Sequence, residues 1–89
     1  MNSDKALEII QNPHITEQAM DMVDLENKLV LMVKLDANKN QVKDAVEELY
    51  NVKVKKVNTT ITPQNQKKAY VRLSESDDAM DVATELGMI

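Results

Sequence analysis

Five consecutive apolar residues, Leu29-Val30-Leu31-Met32-Val33, place the first constraint on this chain. The run is far short of the roughly 18 residues that cross a bilayer, so it must be buried within the protein. With Lys28 and Leu35 at its ends it has the length of a strand. A strand that is apolar at nearly every position is covered on both faces. Lys28 to Leu35 is therefore expected in the middle of a sheet, and the rest of the chain must supply the coverings.

The neighbouring segments show how. Ala6 to Ile10 reads as a short strand, stopped before Pro13. Thr16 suits a helix N-cap, with Glu17 in the first turn and Ile15 and Met20 at the staple positions. Ala19, Met20 and Val23 form the buried stripe of that helix. In residues 39–50, Val42, Ala45, Val46, Leu49 and Tyr50 recur at helical spacing, and Asn38 with Gln41 makes a capping box. Residues 52–62 are rich in Val, Thr and Ile and change phase near Lys55-Lys56, which predicts a β-bulge. A polar turn, Pro63 to Gln66, returns the chain as an antiparallel strand from Lys67 to Leu73. Along it Ala69, Val71 and Leu73 point one way, and Lys68, Tyr70 and Arg72 the other. Ser76 is read as the cap of a last helix, with Asp77 and Asp78 in its first turn and Gly87 at its end.

The order β-α-β-α-β-β-α predicts an α+β fold of the ferredoxin-like sandwich type: a four-stranded, largely antiparallel sheet with helices packed on it. A chain of 89 residues closes one core, so residues 1–89 are expected to form a single domain. Without Trp or Phe that core is aliphatic, with Met20, Met22, Met32, Met80 and Met88 as filler. The first residues show no apolar segment resembling a signal peptide. With cysteine absent, a cytoplasmic protein is the expectation.

Catalytic groups are few. His14 is the only imidazole, and with no Cys beside it neither a thiolate pair nor a His-based metal site can be assembled. It is expected to pack in a loop or face a binding partner rather than act as a metal ligand. Gly87 alone cannot make a phosphate-binding loop. The doublets Glu47-Glu48 and Asp77-Asp78 diverge by about 100° on a helix; the first reads as solvated surface and the second as support for a helix N-terminus. No enzyme activity, cofactor, metal or small-molecule substrate is expected.

Charge is more informative. The net charge of −4 hides a segregated distribution. Residues 49–74 hold five Lys and one Arg with no acid, between flanks that each carry −5. Lys53, Lys55 and Lys56 lie on one strand of the predicted hairpin, and Lys67, Lys68 and Arg72 on the other. Asn58, Thr59, Thr60 and Thr62 add donors suited to phosphate and 2′-hydroxyl oxygens. The same pattern also describes a solvated, edge-protected sheet.

Three runs carry a family resemblance: Pro13-His14-Ile15-Thr16-Glu17-Gln18-Ala19, Val52-Lys53-Val54-Lys55-Lys56-Val57-Asn58-Thr59, and Lys67-Lys68-Ala69-Tyr70-Val71-Arg72-Leu73-Ser74. They resemble the large-subunit ribosomal protein L23 family in its archaeal form, over about residues 7–89. The resemblance implies a structural constituent of the large ribosomal subunit, bound to large-subunit rRNA beside the polypeptide exit tunnel. It also implies contact with neighbouring ribosomal proteins and a part in the platform where the signal recognition particle and other nascent-chain factors dock. Such a chain works in the cytoplasm, does not insert into membranes and is monomeric when isolated. Carried over, the RNA contacts are Thr16, Gln18, Asn38, Lys39, Lys53, Lys55, Lys56, Asn58, Thr59, Lys67, Lys68, Tyr70 and Arg72. Family members usually carry Lys at the position of Gln18 and Thr at that of Asn38. The turn at Pro63 is short where bacterial relatives extend a loop into the tunnel, so this chain is not expected to line the tunnel interior. The alternative reading is a non-ribosomal interaction module whose basic hairpin meets an acidic protein.

Overall fold

The computed structural model describes residues 1–87. Its elements are α1 (Ser3–Ile9), β1 (Ile10–Pro13), α2 (Glu17–Glu26), β2 (Lys28–Val33), α3 (Lys39–Tyr50), β3 (Val54–Ile61), β4 (Lys67–Leu73) and α4 (Ala79–Glu85). The strands form one sheet in the order β1-β2-β4-β3, antiparallel at each pairing. The expected order is present, preceded by one further helix.

That helix corrects the reading of residues 6–10 as a strand. The Asn2 side chain accepts the Lys5 amide at 2.8 Å and caps the first turn. Ala6 and Ile9, one turn apart, are buried, while Leu7 is 63% exposed. A strand would have put Leu7 and Ile9 on one face; helical spacing pairs Ala6 with Ile9 instead. The strand begins only at Ile10, with Gln11 bulged between Ile10 and Asn12. β1 is a sheet edge, which is where Pro13 is tolerated in a strand.

β2 is central, as its apolar run requires, but it stops at Val33, short of Leu35. Leu29, Leu31 and Val33 face the main core with Ala69, Val71 and Leu73 of β4 and Val54 and Val57 of β3. Ala6, Ile9, Val42, Ala45, Val46, Val82 and Ala83 cover them from the helices. Burying a Val or Leu side chain is worth about 1.5–3 kcal/mol, so this face dominates stability. β1 pairs with Leu31–Val33, and α2 packs against β2. The His14 amide reaches the Val30 carbonyl there at 2.9 Å.

The caps follow the sequence, with two exceptions. Thr16 accepts the Ala19 amide, and Asn38 and Gln41 close the capping box at 2.8 and 3.0 Å. Ile15 stays 57% exposed, however, so no staple forms over Met20. Ser76 does not cap the last helix either; Asp78 does, accepting the Met80 amide at 3.0 Å. Gly87 ends that helix at φ 77°, a conformation that favours glycine.

Asn27 explains why the last helix starts where it does. It ends α2 in the left-handed region, at φ 55°. Its side-chain amide donates to the carbonyls of Asp77 at 2.9 Å and Ser74 at 3.2 Å, and its oxygen accepts the Ala79 amide at 2.7 Å. The two carboxylates expected to serve helix ends or solvent work nearby. Asp77 accepts the Lys53 amide at 2.8 Å, and half-buried Glu47 accepts the Val54 amide at 3.0 Å. Glu47 is therefore not merely solvated surface: it pins the start of β3.

Met32 is buried, and Met20 and Met80 pack against the core. Met22 is half-buried and Met88 lies outside the described residues. No helix among the described residues is long and apolar enough to cross a membrane.

Candidate nucleic-acid interface

Side chains alternate along a strand, so the register fixes which residues share the face opposite the core. Lys28, Arg72 and Lys56 stand abreast across β2, β4 and β3. Val30, Tyr70 and Asn58 form the next row, and Met32, Lys68 and Thr60 the third, extended by Asn12 of β1. Val30 and Met32 are only 2% and 8% exposed, although they lie on the side away from the main core. Arg72, Lys56 and Asn58 are exposed, and Tyr70 and Lys68 half-exposed.

The predicted bulge adds a fifth cation to this surface. Val54 pairs with Leu73 and Lys56 with Arg72, so one extra residue, Lys55, is accommodated on β3. Val54 and Val57, three apart, then both enter the core, and Lys55 and Lys56 are left exposed side by side. Among the described residues the ion pairs are Lys5 with Glu8, Lys28 with Glu26 and Lys34 with Asp36. Within the described residues, then, Lys55, Lys56, Lys68 and Arg72 have no carboxylate at ion-pair distance.

Not every predicted residue lies here. Lys67 shares the core-facing parity of Ala69 and donates from Nζ to the Ala37 carbonyl at 2.6 Å, beside Asn38 and Lys39 at the start of α3. Thr59 pairs with Ala69 on that same side. Lys53 precedes β3 and shares a cleft with Lys43 and Asp77. Alternation alone, counted from Ala69 and from Val57 past the bulge, assigns Lys67 and Thr59 to this side. Thr16 and Gln18 do join the open face, because α2 closes the margin of β2: with His14, Lys68 and Tyr70 they line one recess. His14 was read as loop-packed or RNA-facing but not counted among the contacts, and Lys28 was missed because its charge lies outside the basic segment.

This arrangement defines a small α+β protein with one basic, solvent-facing sheet surface. No cluster of three or more His, Asp or Glu capable of holding a metal occurs among the described residues. Comparison with known proteins sharpens the class. The family described as Ribosomal protein L23 matches residues 8–81. The large ribosomal subunit protein uL23 of Haloarcula marismortui is 51% identical over 81 residues, covering 91% of this chain and 95% of its own. That of Pyrobaculum aerophilum is 49% identical over 75 residues, 84% of this chain and 93% of its own. Large ribosomal subunit protein uL23A of Caenorhabditis elegans is 58% identical over 81 residues; the chain spans 55% of its length. The chain belongs to the ribosomal protein L23 family, a family of structural proteins rather than enzymes.

Proposed function

We propose that this chain is a structural constituent of the large ribosomal subunit in the cytoplasm, holding large-subunit rRNA against the open face of its sheet. The row Lys28-Arg72-Lys56 carries this reading. Like charges placed directly opposite one another destabilise a sheet, and an anion laid across them relieves the cost. A phosphate backbone is a linear array of such anions, and rows of cations on a flat sheet can follow it without reading bases. Asn58 and Thr60 stand between and beside the cations as donors to phosphate or 2′-hydroxyl oxygens. Thr16 and Gln18 extend the face at α2. Asn38, Lys39 and Lys67 form a second patch at the start of α3, and Lys53 a lone contact beyond β3.

Family membership supports the finer placement. The chain sits at the rim of the polypeptide exit tunnel against neighbouring large-subunit proteins, and its helical surfaces contribute to the platform for the signal recognition particle and other nascent-chain factors. The turn between β3 and β4 is closed within five residues by the Thr62 amide donating to the Gln66 carbonyl at 2.8 Å. A turn so tight favours the rim over the tunnel interior.

Sedimentation of cell extract tests the reading. The protein is expected to travel with large subunits and to be released by ribonuclease or high salt. Co-sedimentation that survives complete digestion of the RNA points instead to an acidic protein partner and overturns the proposal.

A further inference from the structure

The five cations of the open face are not equally free. Lys28 stands across from Arg72, and its ammonium meets the Glu26 carboxylate at 3.4 Å. Among the described residues, Lys55, Lys56, Lys68 and Arg72 have no such partner. The turn between Glu26 and Lys28 makes their pairing a property of the fold. Asn27 holds φ 55°, and its side chain is bonded to the Ser74 and Asp77 carbonyls and the Ala79 amide. The last residue of α2 and the first of β2 are thereby set side by side. The helix itself is not stabilised by Glu26: its last turn carries no base, and a carboxylate there adds to the negative end of the helix.

We infer that Glu26 competes with RNA for Lys28 and so sets the affinity of the open face below what its cations alone would give. The inference rests on the RNA-binding reading above and adds to it the residue that tunes the contact. A phosphate reaching Lys28 must take the ammonium from Glu26, and the freed carboxylate then stands beside the incoming anion. Lys56, Lys68 and Arg72 carry no such cost. Counter-ions report the difference. An unpaired cation that meets a phosphate releases ions held by the RNA. At Lys28 the freed carboxylate takes up an ion in exchange, so net release there is close to zero. A role confined to the free protein, easing the repulsion between Lys28 and Arg72, would leave RNA affinity and its salt slope unmoved when Glu26 loses its charge.

Binding of the full chain to a large-subunit rRNA fragment at several salt concentrations tests this, with folding of each variant checked by circular dichroism. Both side chains reach the surface, so neutral substitutions keep the fold. Glu26→Gln should tighten binding by about 1.5- to 5-fold, the range of one exposed ion pair. It should also steepen the slope of log affinity against log salt by about 0.7–0.9. Lys28→Gln should abolish that gain in the Glu26→Gln background, yet leave the slope of the parent nearly unchanged. Asp24→Asn removes the same charge from an exposed position of the same helix and should change affinity by a smaller factor. A folded Glu26→Gln that binds as the parent does, a gain that survives Lys28→Gln, or an equal gain from Asp24→Asn overturns the inference. If Lys56→Gln with Arg72→Gln still flattens the salt slope in that event, the phosphate-led reading stands without it; if the slope also persists, both fall.

Discussion

Lys56 and Arg72 face each other across β3 and β4, two exposed cations paired in register with no carboxylate of the described residues bridging them. Lys28 completes the row from β2 and is paired at 3.4 Å with Glu26, the last residue of α2. A surface selected only for stability would alternate signs here.

The first prediction follows from that repulsion. Arg72→Gln should raise the stability of the free protein by a few tenths of a kcal/mol at low salt, and the gain should vanish near 1 M salt as screening shortens to about 3 Å. The same variant should weaken RNA binding. Denaturant titrations at two ionic strengths, set beside an RNA titration, measure both. A loss of stability at low salt would mean that Arg72 acts through the packing of its aliphatic stem.

Placement on the face predicts which cations matter for RNA. Each phosphate contact removed should reduce the slope of log affinity against log salt by about 0.7–0.9. Lys56→Gln, Lys68→Gln and Arg72→Gln together should therefore lower it by about 2 to 3. Lys53→Gln lies off this face and should change it by one contact at most. Equal effects of all four substitutions would remove the open face from its special position.

Asn27 predicts a stability defect out of proportion to its size. Asn27→Gly keeps the left-handed backbone conformation but frees the Ala79 amide and the carbonyls of Ser74 and Asp77. Leaving part-buried groups unpaired costs about 1–3 kcal/mol, which a chemical denaturation curve resolves. Asn27→Ala should cost more, because φ 55° also strains a residue with a Cβ. If Asn27→Gly matches the parent, water replaces these bonds and the junction contributes little.

Tyr50 predicts the alkaline behaviour. Burial, and after it the charge of Glu85, hold its phenol above its ordinary value of 10.0. The fold thus favours the neutral ring. Its contribution to stability is intact below pH 10 and declines as pH rises through the folded value. Tyr50→Phe cannot ionise, so the stability difference between parent and variant should shift in the variant's favour above pH 10. A pH-independent difference would place Tyr50 in effective contact with solvent.

Much of this was legible from local pattern. The run Leu29 to Val33 announced a central strand, and the α3 stripe with its Asn38–Gln41 box marked that helix from Lys39 to Tyr50. The phase change at Lys55 marked a real bulge. These features repeat within a turn or a strand, so one stretch of chain contains all the information. Where local patterns were ambiguous the reading failed. Ala6 to Ile10 has an apolar content that suits a short strand as well as a helix, and its burial against α3 decided for the helix.

What the sequence determined by itself is the alternation of apolar and charged positions, and with it the core and the concentration of cations between residues 49 and 74. What only the tertiary structure decided is which cations stand together. Register between strands brings Lys28 from outside the basic segment into line with Arg72 and Lys56. It sends Lys67 to the helical side, and α2 carries Gln18 to the recess beside Tyr70. Periodicity orients a side chain relative to its own backbone. Proximity between segments is set by pairing and packing across 40 or more residues, such as the bonds from Asn27 to Ser74 and Ala79, and no window of the chain contains both partners.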